Sequence, residues 1–256
     1  MTDGVHHLAR DGFAAAADAY ERGRPGYPPD AVTFLASALG LQAGRVVVDV
    51  GAGTGKLTRA LVTTGADVVA VEPVDAMRDR LADELPTVDV RDGTAEAMPV
   101  DDAAADAVTA GQSFHWFDGP RALAELRRVL RPRGRLGLVW NVRDESVGWV
   151  ARLSAVIEPY SKDAPRHARG AWKRAFDETG GFGRLRLRSF RHASALTVDQ
   201  VVDRYLSISF IAVLDEAERV TVEAAIRDVL SSDPDTGGRV RVQHPYRTDV
   251  YWTQRS

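Results

Sequence analysis

The sequence has no cysteine, which removes disulfides, thiolate metal sites and cysteine nucleophiles together. It has no apolar run near the ~20 residues that span a bilayer and no hydrophobic signal core at its start, so no membrane partner is expected and a cytoplasmic location is. Charge of one sign is also missing: 33 Lys and Arg stand against 36 Asp and Glu, a net charge of −3. No overall basic field therefore draws nucleic acid. Histidines at metal-ligand spacing are absent; His6 and His7 form a lone pair in the N-terminal stretch, and no metal site is expected. Internal repeats and low-complexity tracts are lacking too. What is present is 256 residues, 45% of them hydrophobic, enough for one α/β domain with an insertion.

The chain is organised around residues 46–55. Val46, Val47, Val48 and Val50 are β-branched and almost continuously apolar, the pattern of a central parallel strand covered on both faces. Gly51, Ala52, Gly53, Thr54 and Gly55 follow at once, and Lys56 begins a helix. Glycines here let the backbone turn sharply and let a ligand lie against the main chain. A dinucleotide fingerprint has the spacing G-x-G-x-x-G, whereas this loop is G-x-G-x-G with Asp49 two residues ahead of it, a carboxylate that repels a pyrophosphate and suits a cation. The motif resembles the first motif of class I S-adenosylmethionine-dependent methyltransferases. That resemblance implies S-adenosyl-L-methionine as cofactor, with the loop backbone holding its methionine part and Asp49 near its ammonium group. It also implies a Rossmann-like, doubly wound α/β fold with seven strands, mostly parallel with an antiparallel last strand.

Before the loop, residues 11–21 read as a short helix, and residues 22–29 hold too much proline and glycine to be regular. The run from Tyr20 to Pro28 resembles the N-terminal segment of the subgroup that includes trans-aconitate methyltransferases. Read that way it is a lid, with Arg24 pairing with the cofactor carboxylate, Tyr20 closing over the site and Tyr27 on the acceptor side; the alternative for Arg24 is a solvated surface position. Asp30 is placed as the cap of a helix ended by Gly40. A second strand, residues 68–71, ends in Glu72, 17 positions after Gly55, where nucleoside-binding α/β folds place the carboxylate that accepts from ribose hydroxyls. Pro73 and Met77 are assigned to the same pocket. Val88 and Val90 mark a third strand; the resemblance places adenine against the following loop, with the Thr94 hydroxyl accepting, the Ala95 amide donating and Gly93 beside them.

A fourth strand, 106–110, opens into Gly111, Gln112, Ser113, Phe114, His115, Trp116 and Phe117, at the kind of strand end where open sheets bind ligands. Gln112 is placed at the cofactor and Phe114, His115 and Trp116 at the acceptor, with His115 either a base or a positioning group. Asp118 caps a helix with Pro120 in its first turn. The arginines at its end, Arg127, Arg128, Arg131, Arg133 and Arg135, read as a solvated helix terminus and not as a phosphate patch. The fifth strand, 136–140, delivers Asn141 and Arg143 to the acceptor edge.

Beyond residue 140 the strand–helix alternation breaks, as a helical substrate cover would require. Trp149 and Trp172, with Tyr160 and His167, either line the acceptor pocket or fill the core of that cover. Thr197 and Gln200 form a capping box, a helix follows over 215–230, and residues 246–253 supply the last strand. The expected organisation is one domain: lid 1–30, cofactor core 31–140, cover 141–180, C-terminal strands and helices 181–256. The expected activity is methyl transfer to a small-molecule acceptor by a monomer or homodimer, O-methylation of a carboxylate or hydroxyl being favoured over C- or N-methylation. A nicotinamide oxidoreductase is opposed by the loop spacing and Asp49, while an S-adenosylmethionine-binding protein without transfer has the same fold.

Overall fold

The valine run becomes strand β1 (Val46–Val50), and its side chains alternate between two apolar layers. Val48 and Val50 pack with Leu123, Leu126 and Trp140 on one face, while Val47 packs with Leu35, Leu39, Leu57 and Leu61 on the other. The computed structural model describes residues 25–161, 167 and 170–256. The expectations for Tyr20, Arg24, the helix over 11–21 and the His6–His7 pair fall outside them.

Around β1 lie β2 (Asp67–Val71), β3 (Asp89–Arg91), β4 (Ala105–Gly111), β5 (Leu130–Arg143), β6 (Arg186–Thr197) and β7 (Arg241–Gln254), in the order β3-β2-β1-β4-β5-β7-β6. The first five are parallel, and β7 runs antiparallel between β5 and β6. Strand order reverses between β1 and β4, so the carboxyl ends of these two strands open a crevice where ligands bind in such sheets. Helices α1 (Pro29–Leu39), α2 (Lys56–Val62), α3 (Asp75–Glu84) and α4 (Gly119–Val129) cover the parallel half. The α4 cap is as expected, with the Asp118 side chain accepting from the Arg121 amide at 3.3 Å.

Two local features differ from the sequence reading. Asp30 does not cap α1: Pro28 takes the cap position, Pro29 opens the helix, and Asp30 accepts from its neighbour Ala31 at 2.9 Å. Proline suits a first helical position because its missing N–H has no partner there anyway. The fifth strand is 14 residues long: it starts early, where Leu130 pairs with Ala105 of β4 ahead of a register shift, and it runs past the end of β4 because β7 pairs with it as far as Arg143.

The helical cover has two sequence sources. Helix α5 (Gly148–Ile157) comes from the break after β5, followed by the short α6 (Arg174–Thr179); α7 (Val198–Leu206), α8 (Ser209–Ala212) and α9 (Glu216–Ser232) come from the stretch after β6. Trp149, Val150, Leu153 and Ile157 pack with Val201, Tyr205, Ile211 and Ile226 into an apolar cluster of their own. The expected capping box fixes the start of α7: the Thr197 hydroxyl accepts from Gln200 at 3.1 Å and the Gln200 side chain accepts from the Thr197 amide at 2.9 Å. Among the described residues no helix is long and apolar enough to cross a membrane.

Candidate functional site

The glycine loop leaves β1 with positive φ at Gly51, Gly53 and Gly55 (62°, 59° and 85°), a left-handed run that only glycine adopts without strain. Opposite it, Gly111 ends β4, where a Cβ would lie 2.7 Å from the Tyr27 hydroxyl. Between them is a cleft lined by Pro25, Tyr27, Gly53, Thr54, Gly111 and Gln112. Tyr27 thus stands on the glycine-loop side.

Two buried carboxylates underlie this cleft. Asp49 is fully buried and accepts from Thr58 Oγ1 at 2.7 Å and Thr109 Oγ1 at 2.9 Å. Burial pushes its pKa up from 3.8 to about 6 despite those bonds. Glu72, at the end of β2, accepts from the Gly53 amide at 2.8 Å through Oε2 and from the Val74 amide at 3.0 Å through Oε1. Burial raises its pKa as well; the two loop amides and Arg78 oppose that rise, and the Asp49 charge adds to it. The pair makes an electronegative floor that favours a cationic ligand. Met77 is buried beneath the loop, its Sδ 3.8 Å from the position of a Cβ on Gly53. Pro73 follows Glu72 directly. The Gly93–Thr94–Ala95 turn lies one strand further along, held by a bridge between Thr94 and Ala97; Ala95 is buried there.

A second, larger cleft, with about 880 Å³ of empty space open to solvent, adjoins the first through Gln112. Gln112 has a φ of 61°, uncommon for a residue with a Cβ. Its amide donates to Val139 at 2.8 Å and its side chain donates to the Asn141 carbonyl at 3.3 Å. His115 and Trp116 line this cleft, as do Trp140, Arg143, His167 and Arg204. The Trp140 indole N–H donates to His115 Nδ1 at 3.1 Å. An indole only donates, so neutral His115 carries its proton on Nε2 and cannot accept a second one there. Burial pushes the His167 pKa down to about 4, which leaves that ring neutral.

Several acceptor expectations are redistributed. Phe114 is buried among Phe117, Trp172 and Phe176 in the sheet core. Trp149 is buried in the cover and meets His244 edge-on. Trp172 packs behind Trp140 with centroids 4.7 Å apart. Each is apolar area that a helix or turn had to bury, and burial took all three away from the cleft surface. Asn141 lines the cleft, but its amide is engaged at both ends. Oδ1 accepts from Thr248 at 2.6 Å, and Nδ2 donates to the carbonyls of Pro25 and Gly26 at 3.1 Å each, tying the segment before α1 to the sheet. Arg143 donates to Ser154 Oγ at 3.1 Å and lies over the Tyr205 ring at 5.3 Å. Sequence reading missed Arg204 and Trp140. The signal for Arg204 is its place three residues after Val201, a charge within the buried stripe of α7.

Residues 48–138 match a family described as a methyltransferase domain. An uncharacterized methyltransferase of Mycobacterium tuberculosis is 54% identical over 145 residues, 57% of this chain and 58% of that protein. The chain thus spans little more than half the length of its mycobacterial relatives. An uncharacterized methyltransferase-like protein of Schizosaccharomyces pombe is 34% identical over 237 residues, 92% of each chain. Among solved structures, a putative type II methyltransferase from Anaeromyxobacter dehalogenans has the same fold, with a TM-score of 0.64 at 21% identity over 90% of this chain and 96% of that one.

Proposed function

The chain belongs to the class I S-adenosylmethionine-dependent methyltransferases, and from that membership we propose that it methylates an oxygen of a small-molecule acceptor lying in the cleft beyond Gln112. What carries this is the meeting of two chemically different clefts at one residue. The glycine-loop side has a floor of two buried carboxylates, Asp49 and Glu72. The other side presents His115, Arg143 and Arg204.

The residues present fit the cofactor that the family implies. Gly53 leaves room for a ligand against the backbone, the nearest atom to a Cβ there being Met77 Sδ at 3.8 Å, Glu72 has lone pairs left for ribose hydroxyls, and the acidic floor suits an ammonium and a sulfonium. Once bound, S-adenosyl-L-methionine supplies a methyl group whose C–S bond breaks as the new C–O bond forms, the sulfur pair remaining on neutral S-adenosyl-L-homocysteine. The protein's task is alignment. Holding the acceptor oxygen in line in a dry site is worth ~7–11 kcal/mol.

The Trp140–His115 bond favours a carboxylate over a hydroxyl as the reacting group. A carboxylate is ionised at neutral pH and needs no base, whereas a hydroxyl needs one. With Nδ1 accepting from Trp140, the remaining ring nitrogen of neutral His115 carries an N–H, a donor suited to positioning an anion and not to accepting a proton. His115 is therefore a positioning residue in this reading.

The test is incubation of the protein and S-adenosyl-L-methionine with a pool of small carboxylates and alcohols, followed by mass spectrometry. The expected result is S-adenosyl-L-homocysteine together with a product 14 mass units heavier, roughly one CH2, that mild alkali reverts as it does a methyl ester. An alkali-stable product points to a hydroxyl acceptor. Cofactor that binds and is returned intact with every acceptor removes the transferase reading.

A further inference from the structure

Arg204 is a buried charge that the fold alone does not explain. It lies on α7 between residues of the cover's apolar cluster, is only 9% exposed, and its Nε and Nη1 have no hydrogen-bond partner. It forms no ion pair with any described residue. Taking a guanidinium out of water costs several kcal/mol unless a counter-charge and hydrogen bonds offset it. A helix that needed only to pack here would have an aliphatic residue in place of Arg204.

Its surroundings add positive charge. Arg143 reaches the same cleft wall from the end of β5 and lies over Tyr205, the residue next to Arg204. Behind that wall, His244 has a pKa pushed down to about 3, first by burial and then by the charges of Arg204 and Arg143. His244 Nδ1 and the Tyr246 hydroxyl are also buried without partners. The carboxylate on the cleft, Glu145, is solvent-exposed and pairs with neither arginine.

We propose that Arg204, assisted by Arg143, is the specificity-determining residue that anchors an oxyanion of the acceptor, so that the substrate is a small anionic molecule carrying a carboxylate or phosphate. This rests on the transferase reading and deepens it. The anchored group is not the one methylated. Guanidinium hydrogen bonds stabilise an oxyanion in its ground state and blunt it as a nucleophile, while the reacting oxygen belongs at the Gln112 and His115 end. The acceptor therefore has at least two functional groups, one read by the arginines and one presented to the methyl.

Calorimetry on the full chain tests this, with S-adenosyl-L-homocysteine titrated first and then succinate, inorganic phosphate or neutral succinamide, and each anion also titrated alone. Succinate or phosphate should bind and succinamide should not; which anion binds distinguishes a carboxylate anchor from a phosphate anchor. Arg204→Met should weaken the anion roughly tenfold to a hundredfold, Arg204→Lys should recover part of the loss, and S-adenosyl-L-homocysteine affinity should be unchanged in both. In the unsubstituted protein the Arg204 Nε–H NMR signal should move on anion addition, a readout that survives if a variant fails to fold. Equal anion affinity in Arg204→Met, binding of succinamide as strong as that of succinate, or an unmoved Nε–H signal overturns the assignment. Loss of S-adenosyl-L-homocysteine binding alone, with the anion still held by Arg204, removes the transferase reading and leaves an anion site.

Discussion

Replacing Asp49 by asparagine asks whether the carboxylate under the glycine loop serves a ligand or the fold. Its oxygens accept from two threonine hydroxyls, yet burial still pushes its pKa from 3.8 to about 6. The folded state therefore holds this proton more tightly than the unfolded chain does. Its contribution to stability is complete below the unfolded value of 3.8 and is lost as pH rises through about 6. At ~1.36 kcal/mol per pH unit, ionised Asp49 costs the folded state ~3 kcal/mol at neutral pH. Asparagine is neutral and nearly the same size; its oxygen can serve one threonine, and the other hydroxyl can rotate to accept from its amide. Asp49→Asn is thus expected to stabilise the protein at pH 7 by ~1–3 kcal/mol, and the gain should shrink as the pH falls toward 4. Urea unfolding of both proteins at about pH 4 to 8 measures the difference. The same variant should bind S-adenosyl-L-methionine more weakly by ~1.5–3 kcal/mol, since the cationic ligand loses a charged partner. A variant less stable than its parent at pH 7, or a difference that does not change with pH, refutes the reasoning.

Glu72→Gln turns one carboxylate oxygen into an N–H donor facing a loop amide, so calorimetry should find cofactor affinity lower by ~1–3 kcal/mol, and unchanged affinity would remove Glu72 from the site. Gly53→Val places a β-branched residue at a φ of 59°, which costs ~1–2 kcal/mol of backbone strain and puts a side chain where the ligand lies; binding should be abolished in a protein that circular dichroism shows to be folded. His115→Asn can keep an acceptor for the Trp140 indole while removing the imidazole, so steady-state kinetics should show a raised acceptor KM with kcat little changed. A kcat loss of ~10²–10⁴ would make His115 a base after all.

The half of the molecule that the proposed reading gives to the cofactor was legible because its signals are local. Period-two valines, a glycine spacing and a carboxylate at the next strand end each lie within a few residues, and β1, the loop and Glu72 stand where that reading put them. The acceptor half is made by contacts that no local window contains. Asn141 spends its amide on Pro25 and Gly26, more than a hundred residues earlier, and on Thr248, more than a hundred later. Phe114 and Trp149 carry the same aromatic signal as a cleft residue, and only the long-range packing of α4, α6, α7 and α9 sends them into the core. Arg204 is the converse: its place in the buried stripe of α7, three residues after Val201, is a local signal of burial, but that it lines the second cleft is set by the fold.

The antiparallel strand ties the two halves together. Strand β4 ends at Gly111 opposite Val139, but β5 continues through Trp140, Asn141, Val142 and Arg143, a stretch paired on one side only, by Asp249 to Tyr246 of β7. Three contacts of the second cleft start from that overhang. Trp140 fixes the His115 proton, Asn141 ties the segment that carries Tyr27 toward the glycine loop, and Arg143 brings the second positive charge beside Arg204. A fifth strand that stopped with its parallel neighbour would leave the glycine loop and Glu72 untouched and provide none of the three. The glycine-loop cleft is thus set by the parallel strands, while the part of the second cleft made by Trp140 to Arg143 stands on a stretch of β5 that pairs only with the antiparallel β7.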